Sequence, residues 1–136
     1  HRIAQIFTVG DLRYLKRTGR LSNLEAAVGT VLQIKPLLKG DPQGKIVCFA
    51  KVRGRQRAIE EMAKRYEELV VSPETQTVCI SHADCEADAQ ILASMLRRSK
   101  APKDILIVDY EPVTGSHVGP GALALFFVSD DNVRNI

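Results

Sequence analysis

The longest uninterrupted apolar stretch in the chain is Ala122 to Val128, seven residues, and it follows directly on Gly115-Ser116-His117-Val118-Gly119-Pro120-Gly121. A run of that length falls far short of the roughly 20 residues that carry a helix across a bilayer. It is the length of a buried strand. The other apolar segments are similarly short or recur at helical spacing, and turn or cap residues bound them. Such a chain has to build its core from short strands laid against amphipathic helices. Its 136 residues suit one domain. A chain of this size buries roughly two-thirds of the surface its unfolded form exposes, so it needs no disulfide or metal to stay folded.

The spacing predicts a strand over Ile6 to Val9, then a short helix capped by Asp11 and running through Arg17, with Gly19 ending it. Ser22 and Glu25 have the spacing of a capping box. The helix they start carries Leu24, Ala27, Val28, Val31 and Leu32 on one face, and Pro36 cannot continue it. Leu37 and Leu38 open an extended segment. Asp41-Pro42-Gln43-Gly44 is a turn, and Lys45 to Val52 is the returning strand. Arg55 to Val70 is an amphipathic helix with Ile59, Met62, Ala63, Tyr66 and Leu69 at helical spacing. After Ser72-Pro73-Glu74 comes a strand over Thr77 to Ser81. Asp84 then caps a helix to about Arg98, with Ile91, Leu92, Met95 and Leu96 inward. Strands over Ile105 to Tyr110 and Leu123 to Val128 complete the chain. A hairpin followed by a strand–helix–strand unit predicts an α+β fold over residues 1–136: a two-layer sandwich, one mixed sheet with helices packed mainly on one face.

Three cysteines, Cys48, Cys79 and Cys85, at irregular spacing argue against a disulfide framework. Cys48 and Cys79 sit in apolar runs, where reduced thiols fit a cytoplasmic protein. Cys85 lies at a helix start, and the N-terminus has no signal-peptide pattern. Charge is uneven. Residues 1–57 hold 12 Lys/Arg against three Asp/Glu, and the remainder holds seven against 13. A basic face for an anionic partner is one reading. Two halves that interleave once folded is the other.

Four segments carry candidate chemistry. Three glycines in the Gly115–Gly121 stretch permit a sharp turn or close approach to a ligand, and such a loop can aim amides and the His117 imidazole at an anion. A tight turn with a satisfied histidine is the plainer alternative. No Gly-Lys-Ser/Thr follows, so it is not a phosphate-binding P-loop. It precedes a strand rather than opening a helix, so it is not a dinucleotide-binding turn. Arg53, Arg55 and Arg57 crowd a helix start, where they repel one another and the helix dipole unless an anion sits there. Arg20 sits in a turn beside another helix start. His82-Ala83-Asp84-Cys85 invites a metal or nucleophile reading, but it has no second ligand cluster and no base–orienter pair.

These segments together resemble the DegV family. The matching motifs are Phe7-Thr8-Val9 leading into Asp11-Leu12-Arg13-Tyr14-Leu15, Gly19-Arg20-Leu21-Ser22, Ile34-Lys35-Pro36, Lys51-Val52-Arg53-Gly54-Arg55, and Gly115-Ser116-His117-Val118-Gly119-Pro120-Gly121-Ala122-Leu123. Their order and extent match the family's C-terminal domain. The resemblance implies a bacterial fatty-acid-binding protein of two domains. The acyl chain lies in an apolar tunnel largely within the C-terminal domain, and the carboxyl group sits where the domains meet. It also implies a partner, a fatty acid kinase that phosphorylates the presented fatty acid with ATP to an acyl phosphate for phospholipid synthesis. The binding protein itself has no catalytic residue, metal or cofactor; the long-chain fatty acid is its ligand.

By residue, the resemblance places His117 beside the carboxylate, with Ser116 keeping a hydroxyl where threonine is common. Gly115, Gly119, Gly121 and Arg20 complete the ligand-binding set, and Arg53 and Arg55 face the partner. Gly10-Asp11 departs from the family's acidic-then-threonine pair. The family's N-terminal domain, which supplies carboxylate-binding hydroxyls, is absent from these 136 residues, so half of the site is expected here. Val28, Val31, Ile59 or Met62 are candidates for the tunnel wall. A basic-surface nucleic-acid-binding domain is the alternative, although apart from Tyr14 aromatic residues interleaved with the basic ones are lacking, and no DNA partner is expected. A stand-alone enzyme using His117, His82 or Cys85 lacks an evident base.

Overall fold

The computed structural model describes residues 2–19 and 33–130. Its elements are β1 (Ile3–Thr8), α1 (Arg13–Arg17), β2 (Ile34–Gly40), β3 (Ile46–Arg53), α2 (Arg55–Leu69), β4 (Thr77–His82), α3 (Glu86–Arg98), β5 (Asp104–Asp109), α4 (Pro112–Val118) and β6 (Leu123–Val128), with a 3₁₀ turn at Pro73–Thr75. The six strands form one sheet in the order β3-β2-β1-β6-β4-β5. Strands β4 and β5 run parallel, joined by α3, and the other neighbours are antiparallel. This is the mixed α+β sheet that the segment order predicts.

Successive strand residues point to opposite faces, and both faces are apolar. On the first, Ile6, Leu37, Ile80, Leu123, Leu125 and Phe127 meet Ala58, Ile59, Met62 and Tyr66 of α2 and Ala89, Leu92, Ala93 and Leu96 of α3. Each large side chain buried there contributes roughly 1.5–3 kcal/mol. Tyr66 also stacks edge-on against Phe127 at 5.1 Å and donates its hydroxyl to the Lys100 carbonyl at 2.7 Å. On the second face, Phe7, Leu38 and Ala124 pack with Leu15 of α1 and Val118 of α4. The long helices therefore share one face and the short ones the other. Double coverage explains why β6 reads as an unbroken apolar run rather than an alternating one.

Several expectations need correction. The extended segment begins at Ile34 rather than at Leu37, so Pro36 lies inside β2. Its carbonyl accepts from the Thr8 hydroxyl at 2.8 Å, beyond the paired residues Ile6–Lys39 and Phe7–Leu38. The side lacking an N–H thus faces a stretch where the ladder to β1 has ended. Asp84 does not cap α3. It has φ +52, Cys85 is the cap residue, and the Cys85 amide donates to His82 Nδ1 at 3.2 Å. Ile91 is 39% exposed, because a face centred on Ala89, Leu92, Ala93 and Leu96 puts it on the opposite side of the helix. The capping box at Ser22 and Glu25 and the helix over Leu24 to Leu32 lie outside the described residues.

Candidate functional site

The sheet gathers its chemistry at one end. Strands β1, β3, β4 and β5 all finish there, while β2 and β6 start there. That end holds Asp11, the Arg53-Gly54-Arg55 turn, His82, Tyr110, α4 and the Gly119-Pro120-Gly121 turn. Strand ends leave backbone and loop side chains unconsumed by the sheet, which is why open sheets bind ligands there.

Helix α4 is built from residues expected to be loop. Glu111 caps it, accepting from the Val113 and Thr114 amides at 2.7 Å each, and Pro112 fits the first helical position. Hydrogen bonding from Thr114 and then Val113, with the nearby His117 charge, holds the Glu111 carboxyl below the usual carboxylate range. The helix stands over the second sheet face, where Thr114, His117 and Val118 line a cavity of about 390 Å³ with Tyr110, Leu15 and Phe7. Gln5, Gly40, Gly44 and Ile46 line it further along. Such a volume lies within the usual range of small-ligand sites. Polar groups from α4 and Tyr110 thus stand over a largely apolar wall. Burial pushes the Tyr110 phenol up to about 12; at neutral pH a phenol is an O–H donor.

The candidate residues divide. His117 is half-buried on the cavity wall. Ser116, one residue earlier, is exposed and donates back to the Val113 carbonyl at 2.8 Å. Thr114 lines the cavity instead, and it, Tyr110 and Gln5 are the polar lining positions that the sequence does not single out. Two of the three glycines, Gly119 and Gly121, are explained by packing; an added Cβ on Gly115 would make only ordinary contact, 3.7 Å from the Tyr110 Cβ. A Cβ on Gly119 falls 2.4 Å from the Tyr14 ring, and one on Gly121 falls 3.0 Å from the Gly10 backbone; both have positive φ. The amides of Gly115, Gly119 and Gly121 donate to the carbonyls of Glu111, Gly115 and Ala83 at 2.8, 2.9 and 2.7 Å. The expected row of amides aimed at an anion is not formed by these three.

Arg53 is exposed at the end of β3. Arg55 turns the other way, toward the long helices, and its Nε donates to Asp88 Oδ2 at 2.8 Å. That pair joins the basic half of the chain to the acidic half, as in the interleaved reading of the charge. Arg20 lies outside the described residues. A second hollow at this end is lined by Asp11, Arg13, Tyr14, Lys16 and Arg17.

His82 is 5% exposed. Its Nδ1 accepts from Cys85, and its Nε2 lies 3.3 Å from Asp109 Oδ1, so the ring ties α3 to the ends of β4 and β5. The three cysteines are free thiols. Burial pushes Cys48 and Cys85 up, out of the thiolate range. Ile59 and Met62, expected on a tunnel wall, are 1% and 0% exposed on the opposite face; packing between the long helices and the sheet consumes them. Among the described residues no three His, Cys, Asp or Glu side chains could hold a metal ion, and no helix is long and apolar enough to cross a membrane.

Comparison with known proteins places this geometry. A DegV domain-containing protein of Clostridium perfringens is 42% identical over 130 residues, which is 96% of this chain and 45% of the relative. A solved structure described as a fatty acid binding DegV family protein from Streptococcus agalactiae matches with TM-score 0.82 at 31% identity, over 96% of this chain and 46% of that one. A DegV family structure from Ruminococcus gnavus with vaccenic acid matches with TM-score 0.83 at 27% identity, over 92% and 44%. The chain thus spans about half the length of the relatives it matches. The model described as uncharacterised protein, DegV family, covers residues 1–130: the chain belongs to the DegV family.

Proposed function

We propose that this chain holds the acyl tail of a long-chain fatty acid in the cavity between α4, α1 and the second sheet face. Tyr110, Thr114 and His117 stand near the carboxylate. The observation that carries the reading is the cavity itself: an apolar wall of Phe7, Leu15, Ile46 and Val118 with His117 and Thr114 on its rim. An acyl chain gains about 0.8 kcal/mol for each methylene it buries, whereas a carboxylate left unpaired on burial is costly. The ligand therefore belongs where an apolar wall meets donors, and imidazole, threonine hydroxyl and neutral phenol are such donors.

In this reading residues 1–136 form one ligand-binding unit without catalytic machinery, and the remainder of a longer protein completes the carboxylate site. The bound fatty acid is presented to a fatty acid kinase, with the exposed Arg53 on the kinase-facing surface. Ser116 sits on the solvent side of α4, where it can meet that surface.

Mass spectrometry of what the purified protein releases on denaturation tests the binding reading. A long-chain fatty acid in near-stoichiometric amount is expected. Protein that releases none, and takes none up from a titrated fatty acid, refutes it.

A further inference from the structure

We propose that Gly40 sets the length of acyl chain the cavity accepts; the proposal rests on the fatty-acid reading above. Gly40 is the last residue of β2 and pairs with Ile46 of β3. It lies two residues beyond Leu38, on the same sheet face as Leu38 and Phe7, and lines the cavity with Ile46 and Gln5. Two strand residues are about 7 Å, so Gly40 floors the part of the cavity away from α4 and His117.

Neither of the usual reasons for glycine applies at this position. Gly40 is not among the positive-φ glycines, so its backbone accepts any L residue. A Cβ built on it meets nothing within 4 Å, so no packing neighbour excludes a side chain. Gly44, which also lines the cavity, differs: its φ of +80 ties it to the hairpin turn. What the missing side chain at Gly40 provides is open floor. Strand alternation fixes the direction in which any side chain there projects, into the cavity and across the path of an acyl tail descending from His117. With the carboxylate anchored at the α4 end, that is where the tail's far end comes to lie.

The test is the chain-length dependence of binding for Gly40→Ala, Gly40→Val and Gly40→Leu, measured by titration calorimetry with saturated fatty acids from decanoic to stearic acid. For the unmodified chain, affinity should rise roughly fourfold for each methylene added until the cavity is filled. Each substitution should move the break to shorter chains, in the order Ala, Val, Leu, while the shortest acids bind as before. A valine or leucine suits a strand better than glycine does, so melting temperature should hold or rise. An unmoved break refutes the role of Gly40, as does a loss of affinity equal at every length. An unmodified chain that binds none of the series refutes the binding reading, and this proposal with it.

Discussion

Adding one methyl group to Gly119 should be among the most damaging single changes in the described structure. Gly119 ends α4 with φ +77 and ψ 170, a region that residues with a Cβ occupy at a cost of about 1–3 kcal/mol. The new Cβ also arrives 2.4, 2.5 and 2.8 Å from Cγ, Cδ2 and Cδ1 of Tyr14, so the ring has to move. Overpacking of this kind costs a further ~1–3 kcal/mol. Gly119→Ala should therefore lose about 2–6 kcal/mol. Gly54→Ala is the control: Gly54 has φ +92 and ψ 152, the same backbone region, and a methyl added there meets nothing within 4 Å. It should lose only the backbone part, about 1–3 kcal/mol. Urea denaturation of both variants, and of Gly119→Ala on a Tyr14→Ala background, separates the two contributions. The extra loss at Gly119 should vanish when the ring is removed. A Gly119→Ala penalty equal to that of Gly54→Ala, or one indifferent to Tyr14, refutes the packing argument.

The His82 ring satisfies the Cys85 amide and meets Asp109 while buried, so His82→Ala should cost about 1–3 kcal/mol in urea denaturation; a loss below about 0.5 kcal/mol contradicts it. The Glu111 carboxyl titrates below its unfolded value. Its cap on α4 is therefore intact above about pH 4.3 and is lost as pH falls through the lower folded value. The Thr114 amide resonance should report a midpoint under about 4.3, and a midpoint at or above that value contradicts the cap. His117→Ala should weaken binding of a long-chain fatty acid about tenfold or more, by loss of a hydrogen bond to a charged group, with little change in melting temperature. A fall in melting temperature with affinity unchanged makes His117 a turn residue instead.

Strand β6 is legible to the residue, because a strand covered on both faces leaves a continuous apolar run with glycine ahead of it. The hairpin is legible from its turn chemistry: Asp41 Oδ1 accepts from the Gln43 and Lys45 amides at 2.9 and 2.7 Å. Helix α4 is hidden by Gly115 in its interior, which lowers helix propensity. Its readable signal is Glu111-Pro112, an acceptor followed by proline at the first helical position. The wall of the cavity is hidden for a deeper reason. Adjacent apolar pairs such as Ile6-Phe7 and Leu37-Leu38 say that both faces are covered, but strand order and helix placement decide which cover is tight. The tight one, under α2 and α3, consumes Ile59 and Met62 and leaves the cavity on the other face. His117 is legible as a rim residue; its partner hydroxyl at Thr114 is not, because helical geometry, absent from a loop, brings Thr114 rather than Ser116 to the cavity.

The central claim, that an acyl chain lies along the second sheet face beneath α4, is tested most directly by nuclear magnetic resonance with palmitic acid titrated into isotope-labelled protein. Intermolecular contacts should run from the methyls of Thr114 and Val118 to those of Leu15 and Ile46, with the labelled carboxyl carbon nearest His117. Contacts that fall instead on Ile59 and Met62, or resonance changes confined to the Arg53–Arg55 turn, contradict the claim.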